Sequence, residues 1–155
     1  MEKKICYCLG CTPAALPFGD NEEEEACLVL KANLREALTH LIATEGVTEF
    51  LSDMQGTGLY AAEAILGLQK TYPQVHLECL LPFEAQAARW SESLRDRYFY
   101  ILEHCTRVSL FGTQYTKTCE EACRLQAAER ADVVLAIGAD GQSIPAHKTV
   151  RILTA

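Results

Sequence analysis

Short, strongly apolar runs alternate with longer segments of helical periodicity along almost the whole chain. No other feature narrows the available folds as much. Lys4–Leu9, Val47–Leu51, Val75–Leu81, Arg107–Phe111 and Asp132–Ile137 read as strands. Helices are expected between them over Glu22–Ala43, about Gly58–Thr71, two pieces around Phe83–Trp90 and Glu92–His104, and Thr116–Arg130. In the first, Ala26, Leu30, Leu34, Ala37, Leu38 and Leu41 form an apolar face, with Asp20 or Asn21 as cap and Gly46 as stop. In the second, Leu59, Ala62, Ile65 and Leu66 face the core and Leu68 borders it. Strands that are apolar nearly throughout belong to a parallel sheet covered on both faces. The expected fold is therefore α/β, a three-layered, doubly wound parallel sheet of about five strands with right-handed crossovers. At 155 residues the chain is read as one domain, and the tail from Ser143 is too short for another helix–strand pair.

In such sheets the ligand crevice lies beyond the carboxyl ends of the strands, where the strand order reverses. Loops starting at Gly10, Ser52, Leu81, Phe111 and Gly138 would line it. The second runs Ser52-Asp53-Met54-Gln55-Gly56-Thr57-Gly58 into a helix. Glycines there let backbone N–H groups approach a phosphate, and a helix N-terminus attracts negative charge. Gly56, Gly58 and Ala61 also fit the dinucleotide spacing. That fingerprint belongs in the first strand–helix unit, however, and Glu78, at the offset of a ribose ligand, falls in mid-strand. An ordinary NAD site is not expected. The alternative is a tight strand-to-helix turn in which Gly58 permits close packing. Pro82-Phe83-Glu84-x-Gln86-x-x-Arg89-Trp90 offers a second wall, with Phe83 or Trp90 stacking a base and Gln86 reading it. Its alternative is ordinary core packing.

Fourteen basic against 21 acidic residues give a formal charge of −7, and no basic stripe appears. Duplex nucleic acid is thereby disfavoured as a partner. The run Glu22–Glu25 is expected to be a solvated first helical turn. No membrane span and no leader is expected, which points to the cytoplasm. The eight cysteines are then thiols, read as small core residues. Cys6-x-Cys8-x-x-Cys11 lacks the paired spacing of a zinc site, so no metal is expected. The four scattered histidines suggest no catalytic group.

Five stretches carry a resemblance. They are Cys8-Leu9-Gly10-Cys11-Thr12-Pro13 with Leu16-Pro17-Phe18-Gly19, Ser52 to Glu63, Leu80 to Trp90, Arg97-Tyr98, and Asp132 to Ala136. Together they resemble the YpsA-like family of the SLOG superfamily, Rossmann-like proteins related to DprA and to the Lonely guy phosphoribohydrolases. The resemblance covers roughly residues 5 to 141. It implies a Rossmann-like fold and a nucleotide or ADP-ribose-like ligand. Departures from the family pattern fall on polar positions. Cys11 and Thr12 stand where the family has histidine and arginine, Asp53 replaces a glycine, and Leu59 replaces an aspartate. The Arg-Asn pair is absent around Cys123 to Leu125, and Gly138 to Ser143 lacks Gly-Gly-Thr. The related hydrolases place a catalytic glutamate in that last loop, and no glutamate follows it here. Glu63 is read as a helix-surface residue.

The function expected from these residues is a cytoplasmic, non-catalytic module that binds a nucleotide-like small molecule. Its site residues would be Gly10, Thr12, Gln55, Gly56, Thr57, Gly58, Pro82, Phe83, Gln86, Trp90, Gly138 and Gly141. The alternatives are a degenerate structural or protein-interaction paralogue without ligand, and an N-glycosidic nucleotide hydrolase. The domain is read as shortened at its C-terminus. That would leave the last strand edge poorly covered and favour a homo-oligomer.

Overall fold

Six strands, all parallel, form one sheet in the order β4-β3-β2-β1-β5-β6 in a computed structural model that describes residues 3–138 and 149–154. The strands are β1 Lys4–Leu9, β2 Val47–Ser52, β3 His76–Leu81, β4 Arg107–Leu110, β5 Val133–Ile137 and β6 Val150–Leu153. The helices are α1 Glu25–Ala43, α2 Thr57–Leu68, α3 Glu92–His104 and α4 Lys117–Arg130. The chain winds outward from β1 to β4, then returns to place β5 on the other side of β1. This is the doubly wound, Rossmann-like arrangement.

Strand alternation sorts the core into two layers. Cys6, Cys8, Phe50, Leu77, Cys79, Val133 and Leu135 point toward α1, α2 and α3. Tyr7, Leu9, Leu51, Leu80, Val134 and Ala136 point toward Cys123, Ala127 and Ala128 of α4. Five cysteines are fully buried, and all eight are free thiols. No helix among the described residues is long and apolar enough to cross a membrane.

Several local expectations change. Helix α1 begins at Glu25, and Asn21 Oδ1 accepts from Glu23 N in the turn before it rather than capping it. Its buried face is Cys27, Leu30, Leu34, Leu38, Leu41 and Ile42; Ala26 is exposed and Ala37 half-buried. In α2, Leu68 is buried and Leu66 only partly so. Between Phe83 and Trp90 there is only a 3-10 turn, Glu84–Ala87. Tyr98 is buried, whereas Phe99 and Tyr100 are more than half exposed. The tail supplies a sixth strand. Gly138 N donates to Leu153 O at 2.7 Å, and Arg151 forks onto Glu45 beyond α1. The edge of β5 is therefore covered, and among the described residues the sheet ends at β4 and β6.

The glutamate run is not uniformly solvated. Arg97 of α3 donates from Nη1 and Nη2 to Glu22 (2.7 and 2.9 Å) and from Nε and Nη2 to Glu63 of α2 (3.0 and 2.7 Å). Lys31 Nζ reaches Glu22 at 2.6 Å. These pairs hold the Glu22 carboxyl below its usual range against the opposing effect of burial. They also tie the loop after β1 to α2 and α3.

Candidate functional site

The loop after β2 turns sharply. Ser52 Oγ accepts from Met54 N at 3.1 Å, and Asp53 Oδ1 accepts from Gln55 N at 3.1 Å. Short polar side chains bonding two residues onward are what this turn needs. Met54 itself takes φ 63°, rare outside glycine, and is fully buried. The chain then passes directly over the end of β1. A Cβ on Gly10 would lie 2.4 Å from Gly58 N, and one on Gly56 would lie 1.8 Å from Cys11 O. Both glycines are there because two backbones touch.

This contact fills the point where the strand order reverses. Thr57 Oγ1 donates to Ile137 O of β5 at 2.7 Å and accepts from Cys11 N at 2.9 Å. Three amides at the start of α2 are engaged within the protein. Thr57 N donates to Cys11 O, Gly58 N to Gln55 O and Leu59 N to Gly56 O. Thr57→Val leaves Cys11 N and Ile137 O unpaired in the interior. It is expected to cost about 2 kcal/mol, read as a lower urea midpoint at unchanged slope. An unchanged midpoint would refute the clamp.

The cavity lies to one side, over the ends of β2 and β3. Its volume is about 490 Å3, within the usual range of small-molecule sites. Six residues expected at the site line it: Thr12, Gln55, Gly56, Phe83, Gln86 and Trp90. Gly10, Thr57, Gly58, Pro82 and Gly138 do not. The first three are packed between β1 and α2, Pro82 is buried at the end of β3, and Gly138 bonds to β6. Gly141, with the loop Asp140-Gly141-Gln142-Ser143, lies outside the described residues. Tyr115 and Glu120 from the far side of β4, and Leu94 with Ser91 from the start of α3, complete the walls. Tyr115 sits too far along the chain from the recognised motifs to be found by spacing.

Aromatic rings dominate the interior. Phe83 meets Tyr115 edge-on, with centroids 5.5 Å apart, and Trp90 meets the buried Tyr98 in the same way at 5.2 Å. Gln55 Nε2 donates to Gln86 Oε1 at 2.9 Å, and Gln86 Nε2 donates to Asp53 O at 3.1 Å. This chain of amides holds Gln55 at the cavity wall and leaves its carbonyl oxygen without a protein partner among the described residues. The Tyr98 hydroxyl lies beside Gln86 without an aligned hydrogen bond, and burial pushes it up to about 12.

Asp53 stands behind the loop. Its Oδ2 accepts from Tyr7 OH at 3.3 Å. Burial pushes its carboxyl up to about 6, while the Gln55 amide, Arg124 and Tyr7 act in the opposite direction. Glu78 is not free for a ribose, because Arg130 and Ser109 hold it. Among the described residues no group of three or more His, Cys, Asp or Glu could hold a metal ion.

A model of the YspA SLOG family matches residues 7–128, which include every element around the cavity. The chain is also similar to UPF0398 proteins. One from Brevibacillus brevis is 29% identical over 96 residues, 61% of this chain and 51% of that protein. One from Halalkalibacterium halodurans is 43% identical over 60 residues, 38% and 32% of the two chains. One from Bacillus pumilus is 33% identical over 81 residues, 52% and 44%. The chain thus spans about half the length, or less, of these curated relatives.

Proposed function

The chain belongs to the YspA SLOG family, and from that premise we propose that its cavity binds a nucleotide-like ligand through the base and does not transform it. The observation that carries this reading is a cavity walled by Phe83, Trp90 and Tyr115, with the Gln55–Gln86 amide pair at its side. Flat aromatic faces hold a heteroaromatic ring, and an amide fixed by a second amide can read the ring's polar edge. The non-catalytic part of the proposal rests on how two of the lining carboxylates are engaged, Glu120 by Arg124 and Glu22 by two cations. Glu22 is tied by Arg97 and Lys31 and is not poised to exchange a proton.

The test is a thermal-shift and calorimetry panel of adenine, adenosine, AMP, ADP-ribose and NAD on the full chain. A bound ligand at a hundred times its Kd is expected to raise Tm by about 5–10 °C. Phe83→Ala, whose ring lies outside the main core clusters, should remove most of that shift with little change in the melting temperature of the free protein. No shift with any compound would remove the reading. Release of ribose 5-phosphate from AMP would replace it with an N-glycosidic hydrolase.

A further inference from the structure

Resting on the cavity reading above, we infer that the ligand carries no phosphate: the site takes a free nucleobase or an unphosphorylated nucleoside. Three observations meet here. First, among the described residues no lysine or arginine lines the cavity, whereas Asp20, Glu22 and Glu120 do. Phosphate recognition ordinarily uses a guanidinium fork, an ammonium, or a row of free amides.

Second, three cations on the flanking helices are each held by a carboxylate. Arg97 uses Nε, Nη1 and Nη2 on Glu22 and Glu63. Lys31 is bound to Glu22 and lies 4.6 Å over the Tyr60 ring. Arg124 pairs with Glu120 at 3.7 Å, its charge acts on Asp53 and Tyr7, and it does not line the cavity. Swinging Arg97 or Arg124 onto a phosphate would take from Glu63 or Glu120 its cationic partner.

Third, the α2 N-terminus cannot substitute for them. Its first amides donate to Cys11 O, Gln55 O and Gly56 O. A Cβ at Gly58 would lie only 2.7 Å from Asp53 Oδ1, which places that carboxyl directly beneath the turn. A phosphate arriving there meets a second negative charge in place of a cradle. Phe83, Trp90, Tyr115 and Gln55 ask for nothing beyond a flat ring with a polar edge. Among the described residues the cavity offers a place for a base and none for a phosphate.

The experiment is calorimetric titration of the full chain at neutral pH with adenosine, guanosine, cytidine and uridine, each paired with its 5′-monophosphate. In the pair that binds, the nucleoside should bind at least about tenfold more tightly than the monophosphate. Glu120→Gln, which removes a rim carboxylate and frees the Arg124 charge, should narrow that ratio about threefold through the monophosphate alone. Equal or tighter binding of the monophosphate by the wild-type chain overturns the inference and leaves the cavity reading standing. Failure of all four pairs, and of the four free bases titrated in the same way, overturns both.

Discussion

Gly56→Ala is expected to be among the most damaging substitutions in this protein, costing about 4 kcal/mol or more and lowering Tm by roughly 10 °C. Two penalties combine. The φ of 49° is strained for any residue with a Cβ, and that Cβ would lie 1.8 Å from Cys11 O. The obstacle is backbone, held from one side by the Thr57 clamp and from the other by β1, so no side chain can rotate away. Gly10→Ala attacks the same contact from the opposite strand, 2.5 Å from Gln55 O. Urea unfolding of both variants should therefore show similar large losses. A well-folded Gly56→Ala chain with near-native stability would show that the loop does not rest on β1. The loss would arise without any ligand, which separates the glycine's structural role from a binding role.

Asp53→Asn is expected to stabilise the protein at neutral pH. The folded carboxyl titrates at about 6 and an ordinary one at 3.8. That difference corresponds to about 3 kcal/mol. Because the folded pKa is raised, the favourable protonated state is fully available below 3.8. Its contribution is lost as pH rises through about 6, where a buried charge must form. Asparagine keeps an acceptor for Gln55 N and offers Tyr7 OH a donor instead, so both hydrogen bonds can persist. Relative to wild type, the variant should gain stability between pH 3.8 and about 6 and hold a constant advantage above that. Taking the difference between the two proteins cancels Glu22, Glu49 and Glu78, whose lowered values tilt stability in the opposite direction. A variant less stable than wild type at every pH would mean that the carboxylate is needed for the turn.

The site was less legible than the fold, and particular residues show why. Phe83, Gln86 and Trp90 stand close together in the chain, and their motif reads as a pocket wall or as core packing; in the structure all three line the cavity. Gln55-Gly56-Thr57-Gly58 reads as a glycine-rich turn of two meanings, phosphate cradle or close packing. Spacing could not choose, because both need the same absence of side chains. The choice was made by Cys11 O and Gln55 O, which accept the amides that a phosphate would need. Glu22 looked like one member of a solvated run until Arg97, 75 residues away, proved to be its partner. Tyr115 and Glu120 reach the cavity because the loop after β4 is hydrogen-bonded to the turn at Glu84 and Ala85 and leads directly into α4.

The sequence by itself determined five of the six strands, the four long helices and their alternation, and hence a parallel sheet covered on both faces. Apolar periodicity is a local property, and burial on two faces follows from it. What only the tertiary structure decided was where β6 pairs, that α2 seals the reversal point through Thr57, and that the cavity opens beside that point, over β2 and β3. Those outcomes depend on which backbones come into contact across long separations, and hydrogen-bond saturation at such contacts leaves no pattern in the spacing of residues.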